Sequence, residues 1–333
     1  MSDPGRWRGG AAISALAALA VATFAGSGDA VAQAAPRPLV LVNATVLDGT
    51  GAPPVRGATV VVEGGRIARV GTGDVARPAG AEVIDVGGRW VLPGLIDAHT
   101  HVSTLDAARR ALESGVTTIR SASVPAFQDV ALRELARRGA IAGPDVLAAG
   151  VFVTPQLGET ALADPRLAPL AALEGGVTTP EALRALVRVN LERGVDVVKT
   201  RGTERAGLPN TDPRKQTYTE AQLRAVVEEA ATRNVPVLAH AHGDEGARAA
   251  VLAGVRSIEH GTYLSDTTLR LMRERGTFLV PTYVTVEDLT QPGGDYDDPV
   301  LMLRGRHMLP VLAETVKRAR ALGVRVVTGV DTD

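Results

Sequence analysis

The sequence predicts an α/β chain: a (β/α)8 barrel of the TIM type, its eighth helix missing, behind a small all-β unit. Three observations predict it. Short apolar segments recur eight times after residue 93 and alternate with amphipathic helical stretches, the pattern of a parallel sheet with crossover helices. Several of these segments follow a glycine suited to end a helix, as in "ESGVTT", "ERGVDV" and "LAGVRS". Histidine, present only six times in 333 residues, gathers at the C-terminal ends of the segments, where a barrel keeps its function. A doubly wound open sheet is the competing arrangement, and the count of eight favours the barrel.

Taken in order, residues 1–34 read as a secretory signal peptide. Arg6 and Arg8 precede an apolar run at 11–25, and small residues follow in "GDAVAQAAP". Cleavage after Ala32 or Ala34 fits this pattern. The run of 15 residues is short of the ~20 a membrane span needs. Arg6-Trp7-Arg8 is not a twin-arginine pair. The expectation is an exported, periplasmic protein with no stable membrane span after processing.

Residues 36–92 read as short strands and turns. "PLVLVNATVLD" is apolar and β-branched, "GTGAPP" is a turn, and "GATVVVEGGRIARVG" is two strands joined at Gly64-Gly65 by a tight hairpin turn. "EVIDVGGRWVLP" continues the habit. From 93 to 333 the rhythm becomes strand and helix. The strands expected are 94–99, 115–120, 145–153, 195–200, 235–240, 254–260, 277–282 and 323–331. Between them lie helical stretches such as "AFQDVALRELARRG", "PEALRALVRVNLERG", "TEAQLRAVVEEAATRN" and "SDTTLRLMRERG". The longest irregular stretch is 154–179, and a loop of that length in a compact domain is often functional. The sequence stops two residues past Asp331, so the barrel is expected to be C-terminally truncated.

Composition narrows the chemistry. Net charge is −1 and aromatics are 3%, so neither a basic surface nor a stacking platform for nucleic acid is present. With no cysteine, disulfides and thiolate metal ligands are excluded. A metal site must use His, Asp, Glu or Lys.

Those residues fall at strand ends. His99 and His101 end the first strand, Lys199 the fourth, His240 and His242 the fifth, His260 the sixth and Asp331 the eighth. In a strand, residues i and i+2 share a face, so His99 and His101 can both aim at one ion in the barrel mouth. Imidazole with carboxylate suits zinc and other divalent first-row metals. A lone strand-end histidine is usually structural, but five histidines, an aspartate and a lysine on equivalent ends point to a metal site. Lys199 shares its parity with Val195 and Val197 in an apolar strand. It is either a snorkelling rim lysine or a buried amine of depressed pKa. Such an amine can add carbon dioxide and, as a carbamate, bridge two cations. Other catalytic patterns are missing: there is no G-x-S-x-G, no Walker loop and no H-E-x-x-H.

The string "VLPGLIDAHTHV" resembles the amidohydrolase superfamily, in its imidazolonepropionase-like branch, which includes the Xaa-Pro dipeptidases. "GVTTIR", "DVVKT", "VLAHAHG", "SIEHG", "TFLVPTYV" and "VVTGVDTD" follow in the family's order. The resemblance implies a β-sandwich for the N-terminal unit and the following roles. His99 and His101 bind the first metal, and Lys199, carboxylated, bridges two metals. His240 and His260 bind the second. Asp331 binds metal and takes a proton from the attacking water. His242 matches no ligand and is expected to contact substrate. The cofactors implied are two divalent ions, zinc foremost, and carbon dioxide as the lysine carbamate. The reaction expected is cleavage of a C–N bond in a small amide, cyclic amide or dipeptide by a metal-activated hydroxide. A small-molecule or short-peptide substrate is the expected partner, nucleic acid is not, and a homo-oligomer is compatible. Two departures touch specificity: "IRSAS" lacks the acid that often follows the arginine, and "TPQLGET" lacks a glycine-histidine run. A non-catalytic exported metal-binding protein, an inactive fragment, and a lactonase or phosphotriesterase remain as alternatives, since one metal centre serves several chemistries.

Overall fold

The computed structural model describes residues 37–332, so the leader expected at 1–34 lies outside the described residues. The chain divides into two units at Leu92 and Pro93.

The first unit is one mixed sheet. Strands β1 (Leu39–Val46), β2 (Val55–Glu63), β3 (Arg66–Thr72) and β4 (Glu82–Asp85) lie in the order β3-β2-β1-β4, and β5 (Trp90–Val91) pairs with the second half of β1. Gly64 and Gly65 take φ of 57° and 74°, so the hairpin turn read in the sequence is of the primed type that matches strand twist. Ala44, Val46, Ala58 and Val60 bury one face. The sandwich implied by resemblance is represented by this single five-stranded sheet among the described residues.

The second unit alternates strand and helix. Its elements are β6 (Leu95–Thr100), α1 (Leu105–Glu113), β7 (Val116–Ser121), α2 (Gln128–Arg137), β8 (Asp145–Leu147), α3 (Ala168–Ala171), α4 (Pro180–Glu192), β9 (Val198–Arg201), α5 (Glu220–Ala231), β10 (Val237–Ala241), α6 (Asp244–Ala253), β11 (Ser257–His260), α7 (Asp266–Arg275), β12 (Phe278–Val280), α8 (Tyr283–Asp288) and α9 (Pro299–Ala321). All strand pairs here are parallel, in the orders β6-β7-β8 and β9-β10-β11-β12. Bridges from Val153 to Thr200 and from Leu279 to Val326 extend both runs. The Ala98 N–H donates to the Thr328 carbonyl at 3.0 Å, and the Asp331 N–H to the His99 carbonyl at 2.7 Å. Hydrogen bonding from the C-terminal segment therefore returns to β6.

Helix ends follow local rules. Thr179, with Pro180 behind it, caps α4, a Thr219–Gln222 capping box opens α5, and Ser265 caps α7. Gly115, Gly194 and Gly254, read as helix stops, all have φ between 74° and 100°.

Three expectations need correction. The strand expected at 145–153 keeps its ladder only to Leu147. Beyond it, side chains replace strand partners: Asp129 accepts the N–H groups of Ala149 and Gly150, and Asn190 accepts from Val151 and donates to its carbonyl. The segment 323–331 forms single hydrogen bonds and a bridge rather than a continuous strand. Gly329 sits so tightly there that a Cβ would lie 2.6 Å from Val280 Cγ1 and 2.9 Å from His99 Cβ. The stretch 154–179 is not wholly irregular: a 3-10 turn spans Gly158–Ala163 and α3 follows. Among the described residues, no helix is long and apolar enough to cross a membrane.

Candidate metal centre

All seven strand-end residues singled out by sequence line one cavity of about 300 Å³. His99 and His101, at the end of β6, do converge: their Nε2 atoms lie 3.1 and 2.9 Å from the same Asp331 Oδ1. The i, i+2 spacing produces this, because a strand returns to the same face every second residue. Lys199 Nζ, on β9, is 3.2 Å from His99 Nε2. His240 and His242 flank the end of β10, and His260 closes β11. Ring centroids of His260 stand 4.5 Å from His240, 4.6 Å from His242 and 5.1 Å from His99.

The backbone turns sharply to gather these groups. His260 and Asp331 take φ of 73° and 63°, and Ser123 and Thr282 take 88° and 44°. Left-handed non-glycine residues are costly and persist where the surroundings hold them. Here each holds a ligand-type group. The Ser123 carbonyl accepts from His101 Nδ1 at 2.6 Å, and Thr282 Oγ1 is 2.7 Å from His260 Nδ1. Thr285 Oγ1 bonds the carbonyls of Val330 and Asp331.

Every histidine is oriented by a second partner. His99 Nδ1 meets Glu259 Oε2 at 2.6 Å, His242 Nδ1 meets Thr262 Oγ1 at 2.8 Å, and His240 Nε2 donates to the Glu204 carbonyl at 3.0 Å. Such bonds fix which ring nitrogen is left free to bind a metal. The second ring nitrogens are Nε2 of His99, His101, His242 and His260, and Nδ1 of His240; those of His99 and His101 meet Asp331 Oδ1.

Burial sets the charges. It drives His240 and His260 well below the imidazole range and His242 down to about 3, so these rings are neutral with lone pairs available. Burial also brings Lys199 down to about 8, against the opposing pull of Glu259 and Asp331. For Asp331 burial acts upward, yet His99 and His101 hold its carboxyl well below the usual range. The donor set thus suits divalent cations.

Donor atoms cluster in two groups whose members lie within 4.8 Å of one another: His240, His242 and His260, and His99, His260 and Asp331. His242 thus stands with the ring donors, its ring stacked on His260 at 15°, although sequence placed it with the substrate contacts.

The sequence reading missed the support of this site. Glu259 is fully buried and receives Arg120 Nη2 at 2.9 and 3.0 Å. Arg120 also donates to Ser257 Oγ and the Ala98 carbonyl, so it ties β6, β7 and β11 together behind His99. Burial would raise Glu259, but Arg120 and His99 hold it at about 2. The signal was an acid between Ile258 and His260 in an apolar strand. Asp97, also buried, accepts from the N–H groups of His99 and Val330 and ties the two strand ends. "IRSAS" serves the site through Arg120 and the Ser123 backbone, and "TPQLGET" brings Thr160 to the cavity wall.

The family model described as the Amidohydrolase family matches residues 90–333. Ochratoxinase from Aspergillus niger is 27% identical over 285 residues, covering 73% of this chain and 58% of its own length. The chain thus spans little more than half of that curated relative. A Xaa-Pro dipeptidase solved with methionine in its active site superposes with a TM-score of 0.76 at 25% identity, over 88% of this chain and 79% of the other. A prolidase-like structure from Bifidobacterium longum gives 0.75 at 32% identity, over 89% and 74%.

Proposed function

Because this chain belongs to the amidohydrolase family, we propose that it is a metal-dependent hydrolase of amide-type C–N bonds in small amides, cyclic amides or short peptides. The observation that carries this reading is the convergence of seven metal-compatible side chains on one cavity. In this reading, residues 93–333 are a (β/α)8 barrel lacking its eighth helix and 36–92 part of a β-sandwich. Export through the leader at 1–34 belongs to the same proposal.

The residues present fit two divalent ions, zinc foremost. His99, His101 and Asp331 would hold one, and His240 and His260 the other. Lys199, beside His99, would supply the anionic group between them once carboxylated. When bound, such ions lower the pKa of water and polarise a carbonyl. The chain's residues do the rest. Asp331, its carboxylate held ionised by His99 and His101, is placed to accept a proton and return it to a leaving nitrogen. Lys199, with its value near 8, keeps a fraction of neutral amine at working pH, which carbamate formation requires. Glu259 and Ser123 lock the first-strand histidines in one tautomer.

The test is metal content with a hydrolysis screen of dipeptides, N-acyl amino acids and cyclic amides, on protein loaded with zinc in bicarbonate. Up to two ions per chain and turnover of at least one class are expected. Full metal occupancy in a His99, His101 double alanine variant would refute the site, and no turnover of any class would refute the hydrolase.

A further inference from the structure

We propose that the cleft flanked by Arg256 and Arg275, at the far end of β10 and β11 from the metal ligands, is a second binding site, for a small anion with an apolar body. The ligand class is an acyl or aryl carboxylate or a phosphate monoester. The inference does not rest on the hydrolase reading. The cleft encloses about 430 Å³, within the usual range of small-molecule sites. Its floor is apolar, formed by Val227, Val235, Pro236, Val237 and Val255. Val237 opens β10, the strand that carries His240, and Arg256 directly precedes β11, which ends on His260.

Strand geometry aims one arginine away from the metal centre. Side chains alternate along a strand, so Arg256 shares its parity with Ile258 rather than with Ser257 and Glu259, which meet Arg120. Its backbone is fixed on both sides: the N–H donates to the Val237 carbonyl at 2.8 Å, and its carbonyl accepts from the Phe278 N–H at 3.0 Å. Arg275 is the last residue of α7. Both side chains line the cleft and both residues are exposed. Among the described residues, neither guanidinium has a hydrogen-bond or ion-pair partner.

A helix end favours a nearby cation, which accounts for Arg275 in part. It does not account for Arg256, because α6 has already stopped at Gly254, whose N–H serves the carbonyls of Ala250 and Val251. Gly276 likewise serves Met272 and Arg273, so glycine N–H groups, not the arginines, cap these helices. The acids near the cleft are committed elsewhere. Glu274 lies 3.6 Å from Arg273, and Glu228 and Glu229 pair with Arg184 and Arg188. A third cation stands at the rim: Arg325 donates to the Gly276 carbonyl at 2.7 Å, its guanidinium 4.0 Å from the Phe278 ring centroid. Like charges thus gather around an apolar floor. A cleft of this kind focuses positive potential. An anion there gains charge-assisted hydrogen bonds from the arginine forks while its apolar body leaves water.

The test uses the full chain, zinc-loaded. Octanoate and octyl phosphate are the anionic probes; octanol and octylammonium carry the same body without the negative charge. Binding is read by titration calorimetry and by the rise in melting temperature that a ligand of the native state produces. At least one anion is expected to bind roughly tenfold more tightly than octanol, and less tightly as salt screens the arginines. The tighter of the two anions identifies the head group. The Arg256→Gln, Arg275→Gln double variant should lose the preference for the anion while keeping the parent's metal content and ligand-free melting temperature. Arg275→Lys should keep part of the affinity, since the charge stays and the fork is lost. Octanol or octylammonium bound as tightly as both anions overturns the proposal, as does anion affinity unchanged in the double variant or in Arg256→Gln alone. Anion binding that disappears in the His99, His101 double alanine variant also overturns it, because the probe then sits on the metal centre. So does absence of binding by either anion at millimolar concentration.

Discussion

Removing Arg120 should unseat the metal centre without touching a metal ligand. Arg120 Nη2 reaches both oxygens of the Glu259 carboxylate, at 2.9 and 3.0 Å, and Glu259 in turn positions His99 Nδ1. In Arg120→Met the carboxylate stays fully buried with only His99 and Ser257 beside it. Breaking a buried pair from one side costs about 3–5 kcal/mol. The titration of Glu259 points the same way: against burial, which raises it, Arg120 and then His99 hold its carboxyl down at about 2. Because the folded-state value is lowered, this stability is present above pH 4.5 and is lost as pH falls toward 2. For a unit of the size of 93–333, a loss of that magnitude lowers the melting temperature by about 10 °C. The assay is calorimetric melting at pH 7 and at pH 3.5. The parent should lose much of its advantage over Arg120→Met at the lower pH. Zinc affinity of Arg120→Met, read by competition with a chromogenic chelator, should fall roughly 10–100-fold, the usual effect of losing an outer-shell partner. An Arg120→Met, Glu259→Gln double variant should recover part of the melting loss and none of the zinc affinity. A melting temperature within about 2 °C of the parent at pH 7, with zinc affinity unchanged, would refute the reasoning.

Other substitutions test the site from within. His99→Ala should lose at least one ion by atomic emission, and unchanged metal content would remove His99 from the ligand set. Lys199→Met should lose turnover yet raise the melting temperature of metal-free protein, since it deletes a buried ammonium; short carboxylic acids in solution should restore part of the activity to Lys199→Ala. His242→Ala should retain both ions and lose turnover, and loss of an ion would place His242 in the ligand set with His240 and His260. Arg304→Ala removes four carbonyl contacts and should cost about 2 kcal/mol, with faster proteolysis within 203–217 and a higher KM at nearly constant kcat.

Much of the site was legible because strand geometry is short-range. Spacing by two fixes a shared face, and the HxH pair of β6 needed no tertiary knowledge. Seven of the eight expected strands were legible for the same reason, since apolar runs bounded by glycine mark where helices stop; the eighth, 323–331, makes only single hydrogen bonds and a bridge. What sequence could not supply was the partner at long range. Arg120 and Glu259 are separated by 139 residues, and the contact exists only because the fold brings the ends of β7 and β11 together. The broken strand after Leu147 was hidden likewise: its ladder is replaced by Asp129 and Asn190, which sit on α2 and α4 and read as ordinary polar helix residues.

The missed glutamate was nevertheless open to the argument that exposed Lys199. A charge in an apolar parallel strand must find a counter-charge or a ligand, because desolvating it alone is too costly. Applied to "DVVKT", that logic led to an amine of depressed pKa. Applied to "SIEHG", it demands a cation nearby, and Arg120, from "GVTTIR", is a strand-borne cation able to supply one. The two buried charges differ in what they do. Glu259 is neutralised by protein and orients a histidine. Lys199 has no carboxylate within salt-bridge distance among the described residues, and burial lowers it. A paired charge in a strand builds the site, and an unpaired one at the cavity wall, as at Lys199, stands at the expense of desolvation.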